Sequence, residues 1–110
     1  MIEEKVALIS STMLGKEDHG IMTAYLHLDY GGGGQGFGGY ALKDKYLDTF
    51  ITRVLKTAGV GTWEQLKGKY IRVKSEHAKI HAIAPVLGGD FVEWFNPKEV
   101  FEAMEAKVAK

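Results

Sequence analysis

Residues 27–50, HLDYGGGGQGFGGYALKDKYLDTF, decide the fold of this 110-residue chain. A strand that ran through a glycine turn straight into a helix would begin a βαβ unit, with a phosphate held at the helix N-terminus. Gly34, Gly36 and Gly39 satisfy G-x-G-x-x-G, but seven glycines within positions 31–39 make such a match almost unavoidable. "YALK" also stands between the glycines and the helix signal at Asp44, and no Gly-Lys-Ser or Gly-Lys-Thr follows. The stretch therefore reads as a hairpin tip at 31–34, a third strand through GFGGYALK, and then a helix.

Upstream, residues 5–14 and 21–30 are rich in strand formers, and GKEDHG between them reads as a turn. Met22, Ala24, Leu26 and Leu28 alternate with Thr23, Tyr25, His27 and Asp29, which gives one apolar and one polar face. Downstream, Leu47, Phe50, Ile51, Val54, Leu55 and Ala58 form one helical stripe, with Lys45, Asp48, Thr52, Arg53 and Lys56 opposite. Asp44 is placed to cap that helix and Gly59 to end it. Thr62 and Gln65 fit a capping box for a short turn ended by Gly68.

Residues 69–95 read as two or three more strands, with a break at 75–78 and a turn at 88–90. Asn96 then caps a last helix with Pro97 at its first position and Glu99 at its third, and Phe95 and Val100 are spaced as a hydrophobic staple. Val100, Phe101, Met104 and Val108 form its apolar stripe, and Lys107 and Lys110 suit the negative end of its dipole. The order strands, helix, strands, helix specifies one α+β domain over 1–110. It implies a mostly antiparallel sheet of five or six strands with a central helix, a short helical turn and a C-terminal helix.

Fourteen basic and fourteen acidic residues cancel, which argues against a broad nucleic-acid surface. The chain has no cysteine, so disulfides and thiolate metal sites are excluded. No leader or membrane-length apolar run is visible.

The expected binding surface is the glycine segment with its neighbours: Asp29, Tyr30, Gly32, Gly33, Gly34, Gln35, Gly36, Phe37 and Tyr40, with Lys43 and Arg53 as nearby cations. Exposed aromatics beside a glycine loop would form a contact surface, and buried ones would be strand packing. Backbone N–H groups of the loop, with Lys43 or Arg53, would alternatively hold a nucleotide or cyclic nucleotide. Single-stranded DNA on the aromatics and on Lys43, Lys45, Arg53 and Arg72 is a third reading.

His27, Asp29, His77 and His81 are the weak metal candidates, with no ligand signature in their spacing, and neither a metal nor a cofactor is expected. Ser10, Ser11 and Ser75 lie in no nucleophile elbow, so no catalytic residue is assigned and no enzyme is expected.

Three segments, TMLGKEDHGIMTAYLHLDYGGGGQGFGGYAL (12–42), FITRVLKTAGVGTWEQLKGKYIRV (50–73) and FVEWFNPKE (91–99), together resemble a group of small accessory proteins of tailed phages and prophages. The resemblance implies a phage protein acting in the host bacterial cytoplasm. Such proteins commonly bind stoichiometrically to a host defence protein or protein–nucleic-acid complex, as an anti-CRISPR inhibitor does. Self-association stays open, and no membrane partner is expected.

Overall fold

Glu3–Lys16 forms β1, the longest strand, and it lies at the centre of a five-stranded antiparallel sheet of order β3-β2-β1-β4-β5. The computed structural model describes residues 2–39, 44–76 and 79–108; Tyr40, Lys43, His77 and Lys110, and the side chains of Asp44, Lys45 and Val108, lie outside that description. β2 is Met22–Asp29 and β3 is Gly34–Gly38, while β4 is Tyr70–Glu76 and β5 is Lys79–Ala84. The turn from β1 to β2 is pinned by Glu17, whose carboxylate accepts the N–H groups of His19 (2.8 Å) and Ile21 (3.0 Å).

β1 divides its two edges between its neighbours: residues 3–8 pair with β4, and residues 8–16 pair with β2. A bulge between Ile9 and Ser11 marks the change, and there the Ser10 hydroxyl donates to the His27 carbonyl (3.2 Å). A bulge raises local twist. The staggered sheet curls, and its end strands β3 and β5 meet across the opening.

Period-2 alternation places Ala7, Ile9, Ala24, Leu26, Leu28, Ile71 and Val73 on the inner face. Helix α1, Asp44–Ala58, lies in the curl with Phe50 and Val54 fully enclosed. Burial of each contributes roughly 1.5–3 kcal/mol.

The capping box at the short helical turn Trp63–Gln65 is present: the Gln65 side chain accepts N–H groups from Gly61 and Thr62, both at 3.0 Å. Helix α2, Pro97–Val108, begins at the expected cap, with Asn96 Oδ1 accepting the Glu99 N–H at 3.3 Å. Its Phe101 ring stacks on Tyr46 of α1 at 4.3 Å, and the Tyr46 hydroxyl donates to Glu105. No helix among the described residues is long and apolar enough to cross a membrane.

Residues 91–95 carry strand-forming side chains, yet only Phe95 pairs. It exchanges both backbone hydrogen bonds with Ile83, at 2.8 and 3.0 Å, and adds a one-residue rung outside β5.

Candidate functional site

The glycine segment is two structures in sequence. Positions 30–33 form a tight turn in which the Tyr30 N–H donates to the Gly33 carbonyl (3.0 Å) and the Gly31 N–H to Asp29 Oδ1 (3.2 Å). Asp29 thus occupies one N–H that an anion nest would use, and it places a negative charge there. The phosphate-cradle reading of this loop loses its electrostatics.

The following strand, β3, pairs along β2 with Leu28 opposite Gln35 and Leu26 opposite Phe37. The bonds from Tyr30 to Gly33 and from Gly39 to Ala24 (2.9 Å) bracket this ladder and fix its alternation. Gly34 and Gly36 therefore direct their N–H and C=O groups away from β2, along the free edge of the sheet.

The expected surface residues separate accordingly. Phe37 is 3% exposed and packs 5.6 Å from the Phe50 ring, so it belongs to the core and is no surface anchor. Tyr30 is half-buried against the core, with Lys5 Nζ 4.6 Å over its ring. Asp29, Gly32, Gly33, Gly34 and Gly36 are exposed, and Gln35 is half-buried. Arg53 is occupied: its guanidinium pairs with Glu93 at 2.8 Å and lies 4.9 Å from the Phe95 ring centre. Helical periodicity put Arg53 on the polar side, but a segment forty residues later folds over it.

His27 and Asp29 share the outer face of β2, whereas His81 is on β5, separated from β2 in the sheet by β1 and β4. His81 Nε2 lies instead 3.3 Å from Glu76. Among the described residues no three metal-binding side chains converge.

The connection from β5 to α2 carries what the sequence reading missed. Arg72 on β4 reaches across and donates from Nε and Nη2 to the Val86 carbonyl (3.2 and 2.8 Å) and from Nη1 to the Gly89 carbonyl (2.7 Å). Gly88 and Gly89 adopt φ +118° and +59°, and a short helical turn, Gly89–Phe91, follows. On this pinned loop Leu87 is 85% and Phe91 98% exposed. The glycines at 88 and 89 signalled a turn, but apolar residues flanking a turn ordinarily read as strand ends.

Arg72→Lys keeps the charge but loses the fork that grips two carbonyls. Amide exchange at Gly89 and Phe91 should then accelerate several-fold, with a global stability loss of about 1 kcal/mol. Unchanged exchange would show that the glycine turn holds the loop without Arg72.

No protein-family model, curated protein or solved structure matches the chain.

Proposed function

We propose that this chain works by stoichiometric binding and docks onto another protein through the loop at 86–91. The supporting observation is the phenylalanine at 98% exposure on a backbone fastened by three hydrogen bonds. A large ring left in water forgoes roughly 1.5–3 kcal/mol of burial energy, which a partner's pocket recovers. Because the loop is already fixed, little ordering entropy opposes docking. Val86 and Leu87 are exposed on the same loop.

The resemblance to small phage accessory proteins directs the reading to a host defence complex, such as a CRISPR effector, inhibited in the bacterial cytoplasm. The test is plaquing efficiency on a host with an active effector, together with co-elution of the purified chain and that effector. Phe91→Ala should weaken the complex about 30-fold, the size of a hot-spot truncation of about 2 kcal/mol. Its thermal unfolding should stay near the parent's, because the ring touches little in the free protein. Full inhibition by Phe91→Ala, or no complex with the parent, would overturn the proposal.

A further inference from the structure

We infer that the cleft between β3, β5 and the start of α2 binds a free mononucleotide, base inward and phosphate outward. The cleft encloses about 470 Å³, within the roughly 300–1,000 Å³ of small-molecule sites. Its walls divide by chemistry. Phe101, half-buried, and the edges of the buried Phe37 and Phe50 form an apolar side, while the ionisable lining residues are Lys79, Lys98 and His81, the last 3.3 Å from the Glu76 carboxylate. In a chain whose formal charges sum to zero, the two lysines put positive charge on this rim. Neither lysine has an ion-pair partner among the described residues.

The third wall selects the ligand. Gly36 lines the cleft, and its N–H and C=O point off the sheet edge, where no strand pairs with β3. One extended residue thus offers a donor beside an acceptor, the pattern that matches the hydrogen-bonding edge of a nucleobase. No positive φ requires glycine at position 36, and an added Cβ would meet only the Leu26 carbonyl at 4.0 Å. A glycine that the fold does not demand leaves the backbone bare for close approach by a ligand.

An apolar, ring-lined side, a backbone donor–acceptor pair and two lysines at the rim together describe a base joined to a phosphate. A peptide strand is the poorer occupant. β3 and β5 come within 8 Å between Cα atoms, and a strand between them needs about 9.5 Å, twice the interstrand spacing.

The experiment titrates the full chain with the four nucleoside monophosphates, adenosine, inorganic phosphate and a short oligothymidylate, by calorimetry and by amide chemical shifts. At least one monophosphate should bind, with shifts centred on Gly36, Ile80 and Lys98, and removal of its phosphate should weaken it about tenfold at low salt. The double variant Lys79→Ala/Lys98→Ala should lose that same factor for the monophosphate and leave nucleoside binding unchanged. Gly36→Pro, tolerated where an edge N–H faces outward, should weaken nucleoside and nucleotide alike. No binding at millimolar concentration, or shifts elsewhere, would overturn the assignment. An oligothymidylate that binds more tightly than any monophosphate would overturn it in favour of a strand terminus.

Discussion

Gly38→Ala is expected to remove about 3 kcal/mol or more of stability, the largest effect of any Gly→Ala change in the glycine segment. Gly38 sits at φ +101°, where an L side chain is strained. A Cβ built there would stand 2.5 Å from the Ala24 carbonyl oxygen and 2.7 Å from Phe50 Cζ. The first is backbone in the neighbouring strand, and the second belongs to a fully buried ring, so neither yields cheaply. Strain and overlap therefore add.

Gly31→Ala meets only the first problem, φ +91° in open space, and should cost about 1–2 kcal/mol. Gly32→Ala meets neither and should be neutral or stabilise slightly, by up to about 1 kcal/mol. Urea midpoints at constant m-value rank the three. Equal midpoints for Gly38→Ala and Gly32→Ala would mean that the close packing of β3 on α1 is not present in solution.

That ranking explains how much of the segment could be read beforehand. Seven glycines look uniform as text, but their demands differ. Gly31, Gly38 and Gly39 require positive φ, Gly34 is crowded by the Leu28 carbonyl at 3.0 Å, and Gly32, Gly33 and Gly36 are under neither constraint. Only Gln35 and Phe37 carry side chains in β3, and both alternate to the same face, so the strand shows no polar–apolar contrast to reveal its inner side.

By contrast β2 alternates as expected from Ala24 to Asp29, although at its start Met22 is exposed and Thr23 buried, and α1 and α2 combine a stripe with end signals. The α+β order and most element positions were therefore legible. What sequence could not show was coverage by distant segments. Glu93 and Phe95 enclose Arg53, and Arg72 leaves the sheet to hold a loop some fifteen residues ahead. The exposed Phe91 escaped for the same reason, since the aromatic-rich run FVEWF does not disclose that only its last residue joins the sheet.

Phe95→Ala is expected to cost about 3–5 kcal/mol, a large share of the roughly 5–15 kcal/mol that holds a domain of this size together. The ring is fully buried, edge-on to Phe37 at 6.0 Å and tilted against Phe50 at 5.9 Å, with the Arg53 guanidinium on its face. Its backbone is bonded to Ile83 of β5, while Phe37 belongs to β3, so this ring contact joins the two ends of the curled sheet where no backbone ladder does.

A cavity penalty alone would be felt only locally. A contact that closes the curl should also couple the two residues. In a double-mutant cycle with Phe37→Leu and Phe95→Leu, an interaction of about 0.5–1.5 kcal/mol is expected from paired rings. Additive losses would mean that α1 alone sets the spacing of β3 and β5, and the cleft between them would then persist when either ring is trimmed. Coupled losses make Phe37 both part of the clasp of the sheet and part of the cleft lining. Ligand affinity should then fall together with stability in Phe37→Leu, and should be spared in variants destabilised elsewhere, such as at the Glu17 turn.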